Sequence, residues 1–192
     1  MRFFCILVNN KSYTLTIMIS KWAYILIGDD RTGKTTFQKH LIWDLCGIDR
    51  MTKLNTNLVH QITHRDAPRK IKTLFTINRS VQERMGDYKS VDNYFNSHFK
   101  NADIVILSSH TGGTNDLAEI QQMIDELKKR YYNVNSVFFS NHLNPRTEQV
   151  AQMDWHEKIM INNDWNEDRW ERQIEEGARY FGEMLLKKLS IY

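Results

Sequence analysis

The stretch that most constrains this chain is Gly28-Asp29-Asp30-Arg31-Thr32-Gly33-Lys34-Thr35, extended by Thr36. It fits the pattern G-x-x-x-x-G-K-[ST] at every fixed position. Trp22-Ala23-Tyr24-Ile25-Leu26-Ile27 precedes it, an apolar run of the length of one buried strand. Phe37 to Leu45 follows it, with Phe37, Leu41 and Leu45 at helical spacing and Gly47 placed to end the helix. Strand, glycine loop and helix are the order that phosphate binding requires. Loop N–H groups and the positive end of the helix converge on phosphate oxygens. In that geometry Gly28 to Thr36 form the cradle, Lys34 reaches the β- and γ-phosphates, and the Thr35 hydroxyl is the ligand for Mg²⁺.

From about Lys21 onward the chain resembles the P-loop NTPase superfamily. Its loop G-D-D-R-T-G-K-T-T is similar to that of thymidylate kinases, G-x-D-R-x-G-K-T-T. The resemblance implies that Asp30 contacts the sugar of an acceptor nucleotide and Arg31 a phosphate. Two later segments are similar to phage-type deoxynucleoside-monophosphate kinases and guanylate kinases. One is the strand Ala102-Asp103-Ile104-Val105-Ile106-Leu107, although Ser108-Ser109-His110 replaces the Asp-x-Arg that follows it there. The other is Ile159-Met160-Ile161-Asn162-Asn163-Asp164, where the resemblance implies that the next helix closes over the nucleotide base.

A chain of 192 residues with 41% hydrophobic content suits one α/β domain with a sizeable core. A net charge of +3 argues against a surface that coats nucleic acid. Cys5 and Cys46 offer neither metal spacing nor a disulfide framework, which points to a reducing, cytoplasmic setting. No run approaches the roughly 18 apolar residues of a transmembrane helix. The apolar start, Phe3 to Val8, is too short for a secretory signal and is followed by Asn9-Asn10-Lys11.

Residues 3–8 and 13–19 read as a β-hairpin, an addition of residues 1–19 ahead of a domain at 20–192. Leu58–Ile62 and Ile71–Ile77 read as strands, and a hairpin here is the arrangement of Ras-like GTPases rather than of kinases. Further expectations are a helix over Tyr88–Lys100, strands at Asp103–Ser108, Asn135–Ser140 and Glu157–Ile161, and a helix at 115–130. That helix should place Asp125/Lys129 and Glu126/Arg130 on its wet side. Asp164 and Glu167 resemble a capping box for a last helix whose apolar stripe is Trp170, Ile174, Phe181, Leu185 and Leu189. Trp43, Trp155, Trp165 and Trp170 read mostly as core by spacing. The fold expected is a three-layer α/β sandwich around a mostly parallel sheet. The loops after Ile27, Ile77, Leu107, Ser140 and Ile161 then open onto one rim.

That rim selects the site candidates. Arg79 and Arg84 are placed to stabilise charge on a transferred phosphoryl group, alongside Lys34. Asn141 and Asn163 flank the expected base position. Asn141-His142-Leu143-Asn144 stands where Ras-like GTPases carry N-K-x-D, but the amide of Asn144 cannot present two carboxylate acceptors to guanine. The acid that normally ends a strand beside the loop is missing. Asn78 follows Ile77, Ser108 follows Leu107, and Asp103 stands at the wrong end of its strand. Either Asn78 or Ser108 substitutes, or Asp29 or Asp30 helps, or nucleotide is bound and turned over poorly. The function expected is transfer of the γ-phosphoryl group of Mg·ATP to a nucleotide-like acceptor. The alternative is a Ras-like or degenerate nucleotide-binding module that switches a protein partner.

Overall fold

The computed structural model describes residues 3–8, 11–16, 21–49, 58–77, 79–164 and 169–191. In chain order the elements begin with β1 (Phe3–Val8), β2 (Lys11–Thr16), β3 (Lys21–Ile27), α1 (Lys34–Cys46), β4 (Leu58–Gln61) and β5 (Thr73–Thr76). They continue with α2 (Met85–Tyr88), α3 (Val91–Ser97), β6 (Ile104–Ser109) and α4 (Asp116–Lys129). The last are β7 (Tyr132–Phe139), α5 (Pro145–Ala151), β8 (Lys158–Ile161) and α6 (Trp170–Ile191). β1 and β2 pair antiparallel as a sheet of their own, with Phe3 opposite Thr16 and Val8 opposite Lys11. The expected second run of this hairpin, 13–19, therefore starts earlier, and residues 17–20 lie outside the described set.

The main sheet has six strands in the order β4-β5-β6-β3-β7-β8, parallel throughout except for β4 against β5. β3 lies at its centre because every residue from Trp22 to Ile27 is apolar and can be buried on both faces. Its alternate side chains feed two cores. Trp22, Tyr24 and Leu26 pack with Phe37, Leu41 and Leu45 of α1 and with Ile174, Phe181 and Leu185 of α6. Ala23, Ile25 and Ile27 pack with α3, α4 and Val150 of α5. The result is three layers. Phe181 is edge-on to both Tyr24 and Phe37, at ring separations of 5.0 and 5.4 Å, geometry that adds about 0.5–1.5 kcal/mol per pair beyond burial.

Several local expectations shift. The helix expected over Tyr88–Lys100 is shorter, Val91–Ser97: Lys89 adopts a left-handed φ of 66° that ends the turn of α2 at Tyr88, and Ser90 caps the new start by accepting from the Asn93 N–H. Glu126 is not on a wet face. It is 7% exposed, and its carboxylate holds the Lys129 amine at 2.6 Å and the Arg130 guanidinium. Asp125 accepts instead from Gln121. Asp164 accepts from the Ser140 hydroxyl at 2.9 Å rather than capping α6, and Glu167 lies outside the described residues. Of the tryptophans, Trp155 is buried, whereas Trp43 and Trp170 are 45% and 37% exposed. Trp165 is outside the described set. Asp103 is a tie between strand starts, accepting from the Lys72 and Thr73 N–H groups and the Thr73 hydroxyl at 2.8–3.0 Å. Among the described residues no helix is long and apolar enough to cross a membrane.

Candidate functional site

Because β5, β6, β3, β7 and β8 run parallel, the segments leaving their carboxyl ends share one rim. The glycine loop leaves β3 there. The Gly28 N–H donates to Ser109 O at 3.1 Å, which ties the loop's first residue to the end of β6. The Thr32 hydroxyl donates to Asp29 O at 3.0 Å and fills the space beside Gly28, where a Cβ would come within 2.8 Å of that hydroxyl. Gly33 starts α1 at a φ of 97°, and a Cβ on it would meet Ile174 Cδ1 at 2.6 Å. Glycine is required at both positions by space, and at Gly33 also by backbone conformation. Arg31 holds a left-handed φ of 66°, strain that marks functional loops.

A helix normally needs a capping side chain for its first amides. Gly33 provides none, and the first backbone bond of α1 is Phe37 N–H to Gly33 O. The first turn instead lines a pocket of about 520 Å³, bounded by Asp30 to Thr36, Arg79, Glu83 and Trp170. Lys34 is 7% exposed, and its amine donates to Gly28 O, to Asp29 O at 2.7 Å and, more weakly, to the Thr32 hydroxyl at 3.4 Å. Burial pushes its pKa down to about 8, against the opposing pull of Glu83, Asp30 and Asp29. Among the described residues, the cation at the pocket floor is held by carbonyl and hydroxyl oxygens.

Asp29 faces away from the pocket. One carboxylate oxygen accepts from the Thr111 and Gly112 N–H groups at 2.7 and 3.1 Å, and the other lies 3.3 Å from His142 Nε2. Burial alone would raise its pKa, but the Thr111 bonds, the His142 charge and the Gly112 bond outweigh it and hold the carboxyl below the ordinary range. Asp29 is a strut between the glycine loop and the loops after β6 and β7. Asp30 stays at the pocket mouth, with its side chain 88% exposed.

The other expected site residues divide. Arg79 lines the pocket; Arg84 does not, since its guanidinium is bound to Asp87 and lies over the Tyr88 ring. Asn163 is 2% exposed and structural. Its amide donates to Thr32 O at 3.0 Å, and its carbonyl oxygen takes the Asn141 N–H at 3.3 Å. Asn163 therefore braces the loop, with Asn141 tied to it through its backbone N–H, which leaves Asn163 no free group for a base. Asn144 caps α5 by accepting from the Arg146 and Thr147 N–H groups. Ser108 accepts from the fully buried Gln38 at 2.8 Å, so a side-chain amide occupies the end of β6 where an acid was sought. Asn78 lies outside the described residues.

Two residues enter the site unforeseen. Glu83 comes from the 3-10 turn Gln82–Arg84, and its carboxylate lies 2.6 Å from His110 Nε2, a contact whose angle falls short of a hydrogen bond's. Trp170, one helical turn before the Ile174 that packs on Gly33, borders the same pocket. The rim rule pointed to the segment after Ile77. An acid is expected directly at a strand end, whereas Glu83 stands six residues beyond Ile77. Asp30, Glu83 and His110 offer three donor atoms within 4.8 Å of one another. The oxygen donors beside Lys34 at this mouth, the Thr35 hydroxyl and the Asp30 carboxylate, are the class that Mg²⁺ takes. In comparison with known proteins, the chain matches no family model and no curated protein sequence.

Proposed function

We propose that this chain is a P-loop phosphotransferase of the nucleotide-kinase type, moving the γ-phosphoryl group of Mg·ATP to a nucleotide-like acceptor in the cytosol. One observation carries the reading: an uncapped helix start and a buried lysine share a pocket of about 520 Å³ with Arg79. An anion is the ligand such a floor favours, because the positive end of α1 and the Lys34 amine share it. Thr35 and Asp30 would hold Mg²⁺, which supplies charge neutralisation to a bound triphosphate. Lys34 would turn from its loop carbonyls to phosphate oxygens. Arg31 and Arg79, both on the pocket wall, would face the transferred group. A cytosolic setting agrees with the free, buried thiol of Cys46, whose pKa burial pushes up to about 12.

ATP is favoured over GTP because the one residue aligned with a guanine reader, Asn144, has its carbonyl oxygen engaged in capping α5. The antiparallel β4–β5 pair is what favours the second reading, a nucleotide-binding switch acting on a protein partner. Calorimetric titration with Mg·ATP and Mg·GTP, on the parent and on Lys34→Ala, tests the proposal. ATP should bind at least as tightly as GTP, and the variant should lose at least tenfold in affinity. Equal affinity in parent and variant removes the triphosphate site. A clear GTP preference, increased by Asn144→Asp, removes the kinase reading and leaves the switch.

A further inference from the structure

We infer that Glu83 is the catalytic base of this site and that the group it serves is a hydroxyl rather than a phosphate acceptor; the inference rests on the triphosphate reading above. Among the described residues, Glu83 is the one carboxylate besides Asp30 that lines the pocket with Lys34. Its position is built from three sides. The Glu83 N–H donates to the hydroxyl of fully buried Ser80 at 3.0 Å. The neighbouring Gln82 amide donates to Ser109 Oγ at the end of β6 at 2.7 Å. His110 Nε2 lies 2.6 Å from the Glu83 carboxylate itself. The backbone that carries Glu83 is thus fixed by its own turn and by the end of β6, which sets the carboxylate beside His110 at the pocket, where a reacting proton can meet it.

The presence of a base selects the acceptor class. A phosphate monoester dianion attacks through an oxygen that carries no proton, so a carboxylate base has nothing to take from it. A hydroxyl has a proton to lose. In the step, the acceptor oxygen forms a bond to the terminal phosphorus. The bond from that phosphorus to its bridging oxygen breaks, and its electron pair leaves with the nucleoside diphosphate. The hydroxyl proton passes to Glu83. Nucleosides and water belong to this class. His110 is a positioning residue that acts through Glu83.

The test uses the full chain with Mg·ATP and three acceptors in parallel: nucleosides, nucleoside monophosphates and water alone. Products are followed by phosphorus NMR, and nucleotide affinity is measured separately by calorimetry. Phosphoryl transfer should go to a hydroxyl. Glu83→Gln should lower kcat by roughly 100-fold or more, the range of a lost general base. The same variant should bind nucleotide as tightly as the parent or tighter, because a carboxylate facing a polyanion has been removed. His110→Asn should lower kcat by about tenfold with KM unchanged, and the double variant should be no slower than Glu83→Gln alone, the non-additivity of residues acting as a unit. Preferred transfer to a monophosphate, full turnover in Glu83→Gln, or a tenfold loss of its nucleotide affinity each overturns the inference. Nucleotide binding without transfer to any hydroxyl overturns it too, while leaving the triphosphate site standing. Absence of nucleotide binding by the parent removes both.

Discussion

Gly33→Ala puts the packing of the glycine loop to a direct test. In an ordinary loop this change stabilises a protein by about 0.4–1 kcal/mol, because alanine has fewer unfolded conformations to lose. Here the sign reverses for two separate reasons. Gly33 has a φ of 97°, which for an L-residue costs about 1–2 kcal/mol. The added Cβ would also stand 2.6 Å from Ile174 Cδ1 and 3.0 Å from Cγ1, against an ordinary carbon separation of about 3.5–4.0 Å. Ile174 is fully buried, so it can move only by disturbing α6 against the core, at about 1–3 kcal/mol. Together the loss is about 2–5 kcal/mol, a large share of the 5–15 kcal/mol typical of a domain. Ile174→Val removes the nearest clashing atom but leaves the backbone strain. Alone it costs about 0.5–1.5 kcal/mol. In the double variant it should recover about 1 kcal/mol relative to the sum of the single losses. Urea unfolding followed by circular dichroism measures all four corners of this cycle. A loss under about 1 kcal/mol for Gly33→Ala, or strictly additive losses, would refute the argument that α6 is seated on the glycine loop.

Two further outcomes follow from charge. Lys34 titrates in the folded chain at about 8 instead of 10.5, so between those values the unfolded state binds more protons and stability rises with pH across that window. At pH 7 the charged amine therefore destabilises the ligand-free fold, and Lys34→Met should raise the melting temperature by a few degrees while abolishing triphosphate binding; a lower melting temperature would contradict the assigned burial cost. Asp29 has a depressed pKa, so its contribution is present above the unfolded value near 3.9 and is lost as pH falls through the folded value. Asp29→Ala should cost about 1.5–3 kcal/mol at pH 7, the loss of charge-assisted bonds to Thr111 and Gly112, and should flatten the acid limb of a stability–pH curve. An unchanged acid limb would show that the strut carries no charge-dependent stability.

Short-range chemistry made much of this molecule legible from residues alone. The run Trp22–Ile27 can be buried only as a central strand, and Gly28 to Thr36 can close only as a tight loop feeding a helix, because glycine alone fits where Gly33 stands. Gly47 ends α1 at a φ of 66°, as its place after Leu45 required. The parallel order of strands follows from their alternation with helices, and with it the shared rim. What pattern could not reach was any choice made between segments distant in the chain. Glu83 and His110 are 27 positions apart, and only the pairing of β5 with β6 puts them in contact. Asp29 and Asp30 are adjacent and chemically identical, yet one is a strut to Thr111 and the other a pocket-mouth carboxylate; that difference arises from a loop 82 residues away. Arg79 and Arg84 were equal candidates until Asp87, three residues on, drew Arg84 aside. Glu126 is buried and Trp170 exposed, against what their helical spacing predicts, for the same reason. Helical period tells which residues share a face, but the neighbours that bury or uncover that face are placed by the sheet and the packing of α6 upon it.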